Sequence, residues 1–535
     1  LQALPVPQVA FNYLGQLDAS ASSNRLFSLS HEPTGPSVAP SGTRMHALEI
    51  NGSVLGGQLQ LSFGYSTHLH HATTIESLAQ RFLHHLRALI DLRASEDARR
   101  FSPGDFPLAA LSQTSLDTLL QQAGPDIEDV YPLSPTQQGM LFHALLSPES
   151  TVYFMQHSWA IHSALDGAAL HQAWQSTTER SAVLRTSFHW QGLNAPLQVV
   201  HSRLPCAFEL FDWRALSAAE QHERYQQFLA EERRQGFQLH RAPLMRMVAI
   251  HLRQDVWRLH WSHSHLLLDG WSLGLVLQEF FSLYDASLSA RAARPAARPP
   301  FRDYIAWLRQ RDDSADTAFW RDYLADFTSA TPLPADTHAS PTAGQAPSHP
   351  FHELFLSAQA AASLQDFSRQ HQLTLNTLAL ASWALVLSRY SGEHDVVFGS
   401  TFAGRPPELP GSDAMVGIFI NSLPTRIRVP SDSSPLVPWL QSLQVQQLEL
   451  RQYEHAPLVH VQSLSQVPRG ASLFESLLVV ENYPIDASLR QRTTFLDVRD
   501  ALAAERSNYP LALAVIPSTS TVRLLLSHDE PRFPA

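Results

Sequence analysis

One cysteine, Cys206, stands in the whole of this 535-residue chain. An internal disulfide is therefore excluded, as is any site built on a cysteine cluster. No His/Glu metal signature takes its place, and the 27 histidines are scattered, so no metal site is expected. Long apolar runs are missing too: the most hydrophobic stretch, Thr377 to Val386, is bounded by Asn376 and Arg389. It is too short to span a bilayer and reads as a buried core helix. No export signal is visible, and a cytoplasmic location follows. Basic residues are in deficit, 38 Lys+Arg against 49 Asp+Glu, a formal charge of −11. That balance argues against nucleic acid as the main partner. The chain starts at Leu1 without a methionine and stops at Ala535 in mid-element, as expected of a piece of something larger. What is present is apolar: 44% hydrophobic and 16% charged residues imply folded cores throughout a chain long enough for several domains.

The segment richest in chemistry is Trp261-Ser262-His263-Ser264-His265-Leu266-Leu267-Leu268-Asp269-Gly270-Trp271-Ser272. Histidine exchanges a proton near neutral pH, and three leucines after His265 give it a dry wall. Asp269-Gly270 supplies a turn. Such a turn brings a carboxylate and an open backbone amide near the imidazole, and Gly270 lets a substrate carbonyl approach that amide without meeting a Cβ. A core strand running into a surface turn has the same pattern.

The two ends of the chain echo each other. VAFNYLGQ (Val9 to Gln16) precedes RMHALEINGSVLGGQLQLSFGYS (Arg44 to Ser66), and LLVVENYP (Leu477 to Pro484) precedes NYPLALAVIPSTSTVRLLLSHDE (Asn508 to Glu530). Both read as a strand followed by a hairpin, with turn signals at Asn51-Gly52 and Gly56-Gly57 in one and at Pro517 to Thr519 in the other. The first copy continues into an amphipathic helix, Thr73 to Ile90, with a threonine cap and Leu78, Phe82, Leu86 and Leu89 on one stripe. The second copy stops before its helix. FSPGDFPLAALSQTSLDTLL (Phe101 to Leu120), with Pro103-Gly104 and Pro107, reads as a linker rather than core.

Ser264-His265-Leu266-Leu267-Leu268-Asp269-Gly270 resembles the HHxxxDG signature of nonribosomal peptide synthetase condensation and epimerization domains, and of the superfamily related to chloramphenicol acetyltransferase. The family's first His is matched by Ser264, its second, the one used for chemistry, by His265. His263 cannot stand in for the first, since on a strand residues 263 and 265 share a face and 264 points the other way. Other family-like motifs follow in order: IEDVYPLSPTQQGMLFHALL (Ile127 to Leu146), RSAVLRTSF (Arg180 to Phe188, with Ser181 where the family has His), FRDYIAWL (Phe301 to Leu308), MVGIFINSLPTRIRV (Met415 to Val429), YEHAPL (Tyr453 to Leu458) and SLFESLLVVENYP (Ser472 to Pro484). In the first, Ser134 is expected to cap a helix with Met140, Leu141 and Leu145 on its inner face. FNYLGQ and GGQLQLSFGYS resemble the end of an epimerization domain, and Phe101 to Leu120 the connector after it.

The resemblance implies a mixed α/β fold of two chloramphenicol-acetyltransferase-like lobes, a V-shaped pseudodimer with its site in a tunnel between them. Residues 1–100 would be the C-terminal fragment of an epimerization domain, 101–125 a linker, 126–300 the N-lobe and 301–535 the C-lobe, lacking its last helix. The Ala/Arg/Pro stretch Ala290 to Pro300 is the inter-lobe linker. The implied reaction is peptide-bond formation between two thioesters on the phosphopantetheine arms of carrier proteins. His265 is the catalytic centre, as general base or as positioning group, with Gly270 N–H as oxyanion donor. Asp269, Ser264, Arg185 and Arg426 support the site, Arg426 by pairing with Asp269. Trp271, Ser272, Asn421 and Ser422 are candidates for lining the substrate channel, while Tyr304 and Trp307 read as packing. FGSTFAGRPPELPG (Phe398 to Gly411) is similar to the family's floor loop. The expected partners are upstream donor and downstream acceptor carrier proteins and neighbouring synthetase domains, with no nucleic acid, membrane or bound cofactor. The upstream tail points to a D-ended donor and an L-acceptor. Two rival functions remain: epimerization of a carrier-bound residue, and non-catalytic docking of carriers or partner enzymes.

Overall fold

The computed structural model describes residues 7–16, 42, 44–94, 101–147, 152–289, 296–333, 351–431, 433–481, 498–504, 508–518, 521–529 and 532–533. Its contacts separate the chain into two units, Leu1–Phe101 and Ser102–Ala535.

In the first unit β1 (Val9–Gln16) runs parallel to β2 (Leu48–Leu55), which folds back on β3 (Gln58–Tyr65). The hairpin turns at Gly56-Gly57, both at positive φ, a conformation that glycine adopts without strain. Asn51-Gly52, the other expected turn, lies inside β2 because the two glycines after Leu55 already make the reversal. Helix α1 (Ala72–Ala94) begins before Thr73, so that residue does not cap it. Its inner stripe is Ile75, Ala79, Phe82 and Leu86, with Phe82 against Phe11 and Phe63 at 6.3 and 6.2 Å. Leu78 and Leu89 are exposed, since at 100° per residue they fall on the flank of that stripe.

The second unit opens with the segment expected to be a linker, and here the structure differs. Phe106 is buried, as are Leu116 and Leu119 of α2 (Gln113–Ala123), and Arg309 donates to Leu108 O. Apolar side chains at 106, 116 and 119 fasten it to the unit despite its prolines. There follow β4 (Ile127–Pro132), α3 (Pro135–Leu146), β5 (Phe154–Ile161), α4 (Gly167–Arg180), β6 (Thr186–His189), β7 (Leu197–His201), β8 (Phe208–Asp212), α5 (Ala218–Gln235), β9 (Met245–Arg253), β10 (Val256–Ser264) and α6 (Gly270–Leu288). Ser134 caps α3 in a reciprocal box with Gln137, as its position predicts. Met140 and Leu141 are buried, but Leu145 is exposed, one turn beyond the packed part of the helix. Strands β4-β7-β6 form a small sheet. Arg185 is buried beside it, donating to Glu128 (2.6 Å), Thr178 O (3.2 Å) and His201 O. Its role is architectural.

After an irregular stretch at 296–300 come α7 (Phe301–Gln310), α8 (Ser314–Tyr323), β11 (Phe351–Phe355), α9 (Ala358–His371), α10 (Leu375–Ser391), β12 (Asp395–Phe402), β13 (Asn421–Arg428), α11 (Leu436–Leu450), α12 (Leu458–Leu464), β14 (Ser476–Val480), β15 (Val498–Ala504), β16 (Leu511–Pro517) and β17 (Val522–His528). The main sheet has the order β11-β17-β16-β14-β12-β13. Thr374 caps α10, the helix foreseen as core, which buries Leu378, Ala381, Ala384 and Leu387 but leaves Leu385 and Val386 exposed. Strand β15 joins the sheet of the other half, ordered β15-β5-β10-β9-β8. The two halves of the unit thus share one sheet. Among the expected linker residues, 290–295 lie outside the described residues, as do 482–484 of the last motif.

The echo between the chain's ends is a topological repeat. Strand β14 runs parallel to β16, which makes an antiparallel hairpin with β17, as β1 does with β2 and β3. Both units are mixed α/β, the class expected.

Candidate active site

The site is built at the end of β10, a central strand flanked by β5 and β9. Its core face carries Trp261, packed edge-on against Trp174 of α4 at 5.2 Å. The strand ends at Ser264, and Leu266, Leu267 and Leu268 turn through the interior nearly without exposure before α6 begins at Gly270. They are the dry wall foreseen for His265.

His265 is buried just past the strand end. Its backbone N–H donates to Tyr153 O at 2.8 Å, and its Nδ1 lies 2.7 Å from Leu268 O. A carbonyl only accepts, so Nδ1 carries a hydrogen, and in the neutral form of the ring the lone pair lies on Nε2. The turn that positions the imidazole therefore also selects its tautomer. Ser264, in the family's first-His position, pairs in register with Phe154, donates its N–H to Leu244 O and accepts Leu266 N–H at 3.4 Å. Its hydroxyl is spent inside the turn. His263 stacks on His157 at 5.3 Å, the two Nε2 atoms 3.2 Å apart, and gives its Nδ1 hydrogen to Ser264 O. Burial, with His260 and His265 adding to it, pushes His157 down to about 3 and keeps it neutral.

Asp269 is almost fully buried and its carboxylate makes three contacts. Oδ1 caps α6 by accepting Ser272 N–H at 2.8 Å and meets Arg405 Nη2 at 3.3 Å; Oδ2 accepts Phe419 N–H at 2.9 Å. Its own N–H donates to Gly417 O. Asp269 thus fastens the turn to the 415–420 segment and supports the site. Gly270, first residue of α6, presents its N–H at the positive end of that helix, before any intrahelical acceptor is in reach.

The expected ion pair of Arg426 with Asp269 is corrected. Arg426 lies on β13 opposite Val397 of β12 and reaches diagonally to make a bidentate pair with Asp395, whose own register partner is Arg428. The cation on Asp269 is Arg405, from the Gly/Pro-rich crossing loop. Arg405 also donates to Ser272 Oγ (2.8 Å), Met415 O (2.9 Å) and Ser412 O, over the Phe419 ring at 4.1 Å. Ser272 is likewise displaced from a channel to this seam. It has no exposure, and its hydroxyl donates to Gly417 O (2.6 Å) while accepting from Gly417 N–H (3.0 Å). Asn421 is buried, donating to Glu454 O and Ala456 O at 2.9 and 2.8 Å. Such bonds anchor the 454–456 segment rather than line a channel. Ser422 is half-buried and Trp271 40% exposed, its Nε1 held by Asp413 O. Tyr304 and Trp307 stack on each other and contact His455, as packing residues do.

Two residues were not singled out from the sequence. Gln137 donates to Leu266 O at 2.9 Å, bracing the residue after His265, and its signal was its place in the capping box. Arg405 was marked only by being a lone cation in GRPPELPG. Among the described residues no group of three or more His, Cys, Asp or Glu side chains is placed to hold a metal ion, and no helix is long and apolar enough to cross a membrane.

The family described as "Condensation domain" matches residues 127–534. One of the linear gramicidin synthase proteins of Brevibacillus parabrevis is 42% identical over 534 residues, 100% of this chain and 10% of that protein. Another protein of the same synthase is 40% identical, covering 98% and 7%, and Chondramide synthase cmdD of Chondromyces crocatus 36%, covering 99% and 14%. The chain thus spans about a tenth of the length of these relatives. Among solved structures, the condensation domain of Monacolin K polyketide synthase MokA aligns with a TM-score of 0.64 at 18% identity, covering 76% of this chain and 94% of that one. The first condensation domain of the calcium-dependent antibiotic synthetase gives 0.63 at 18%, covering 76% and 92%. This likeness establishes the two-lobed, chloramphenicol-acetyltransferase-like fold.

Proposed function

The chain belongs to the condensation-domain family, whose reaction is amide-bond formation by acyl transfer, and on that premise we propose that it joins two carrier-bound acyl thioesters with His265 at the reacting centre. The acceptor amine attacks the donor thioester carbonyl, the C–N bond forms, the donor thiolate leaves, and the nitrogen gives up one proton. His265 Nε2 faces that task with the right tautomer, because Leu268 O holds the hydrogen on Nδ1. This single hydrogen bond carries the reading: it turns a motif histidine into an oriented acceptor. Gly270 N–H is the oxyanion donor, and Asp269, Ser264 and Arg185 act as supports, with Trp271 and Ser422 toward the substrates.

The donor and acceptor would arrive on the phosphopantetheine arms of carrier proteins belonging to neighbouring synthetase domains, in the cytoplasm. The lobes would meet near residue 300. The first unit is the end of a related domain, of the epimerization type: its strands repeat the β14-β16-β17 topology, and the gramicidin synthase match extends over it. A preceding epimerization domain would deliver a D-ended donor. Purified chain supplied with donor and acceptor carriers should yield condensed product faster from D-ended than from L-ended donors; equal rates would remove the stereochemical assignment. Scrambling of the α-centre on a single loaded carrier, with no acceptor present, would instead reveal an epimerase.

A further inference from the structure

The crossing loop between β12 and β13 carries Arg405, and the residue before it makes a contact that the reaction does not require. Gly404, at φ +64°, passes so close to Phe419 that a Cβ there would lie 1.8 Å from Phe419 O. Its N–H is accepted by the carboxyl of Glu454. Glu454 is 94% buried, and its Oε2 has no hydrogen-bond partner among the described residues. Its backbone is pinned from β13 by Asn421. A chain of contacts thus runs from Glu454 to Gly404, to Arg405, to Asp269 and so to the turn that holds His265.

We propose that Glu454 is a positioning residue: by accepting the Gly404 N–H it keeps Arg405 on Asp269, and ionisation opens the loop because the cost of a buried anion outweighs the stronger bond the anion accepts from Gly404. The neutral acid tolerates a dry pocket with one oxygen unbonded. The anion accepts a stronger bond from the Gly404 N–H, yet that donor does not offset its burial, and further relief takes water or a cation reaching it, which requires the loop to move. The charged groups around it do not supply that relief. Arg451 is the nearby cation, but Glu408 of the same loop opposes it. Tyr304 on α7 is held far above its ordinary value by burial, and His455 is pushed down to about 3 by burial with Arg311 beyond it, so both stay neutral. Burial, more than any neighbour, raises the Glu454 carboxyl to about 7.

The direction follows from proton binding. The closed loop holds a proton on Glu454 between its ordinary 4.5 and about 7, where the open loop does not. Closure is therefore favoured below that window, is lost progressively as pH rises through it, and changes no further above it. With those two values, the open population should rise about tenfold between about pH 6 and about pH 8.

The inference rests on the proposed reaction only for its bearing on catalysis, so its test reads the loop itself. Amide hydrogen exchange over residues 398–411 is followed in the full chain at both pH values, wild type divided by Glu454→Gln so that intrinsic exchange cancels. The ratio should rise about tenfold; a flat ratio would overturn the proposal. Isotope-edited infrared titration of the wild-type carboxyl decides the matter if the variant fails to fold, a midpoint near 7 supporting it and one near 4.5 overturning it. A pH-dependent loop in a chain that forms no product would sink the reaction and leave the latch standing. Product from a chain with a flat ratio would do the reverse.

Discussion

At the scale of single residues, the site depends on one hydrogen bond and one buried charge. His265 owes its tautomer to Leu268 O, and replacing it with Ala removes the imidazole proposed to receive the amine's proton. Condensation should fall by about 10²–10⁴-fold in single-turnover assays while the far-UV circular dichroism stays unchanged. Asp269 is a different case. Asp269→Ala strands Arg405 without its carboxylate in a closed seam and uncaps α6, and chemical denaturation should show a loss of about 3–5 kcal/mol. Arg426→Ala, far cheaper, breaks a pair whose Asp395 partner is one-third exposed; it should cost about 1 kcal/mol and leave the rate near wild type. That contrast separates the observed pairing from the one the motifs suggested. His265, Ser264, Asp269 and Gly270 were legible because they are neighbours in sequence, although the strand ends at Ser264 and the turn after it, rather than strand alternation, sets the direction of His265. Arg405 was not, because its partnership with Asp269 spans 136 residues and depends on a loop path that no local pattern encodes.

At the scale of elements, close backbone approach governs the seam. A Cβ on Gly404 meets Phe419 O, and one on Gly417 would stand 2.1 Å from the Phe301 ring. Gly404→Ala should therefore displace the crossing loop and lower both stability and condensation, with loss of protection at the Phe419 amide as the specific sign in hydrogen exchange. Helix α3 offers a milder test: Ser134→Ala removes one side of a capping box and should cost about 1 kcal/mol by thermal or chemical unfolding. Most elements could be read in advance, since the hairpins, the capped α3 and the apolar α10 each follow from local chemistry. The connector at 101–120 misled, because its prolines mark turns while Phe106, Leu116 and Leu119 say nothing locally about what they will meet. The stripe of α1 shifted for a related reason: several apolar residues competed for one face, and Phe11 and Phe63 selected Phe82.

At the scale of the whole molecule, two units share a strand topology, and the entire His265 site lies in the second. Residues 102–535, made without the first unit, should fold and retain condensation activity, with circular dichroism and turnover as the readouts. Within that unit the strand β15 ties the halves into one sheet, so separating them near residue 300 should abolish folding. The measurement that bears most directly on the central claim is a single-turnover reaction of the full chain with loaded donor and acceptor carriers, run beside His265→Ala. Amide product from the wild type, with a loss of at least about 100-fold in the variant at unchanged carrier binding, is the predicted result. Equal product from both proteins, or none from either with carriers bound, would contradict it.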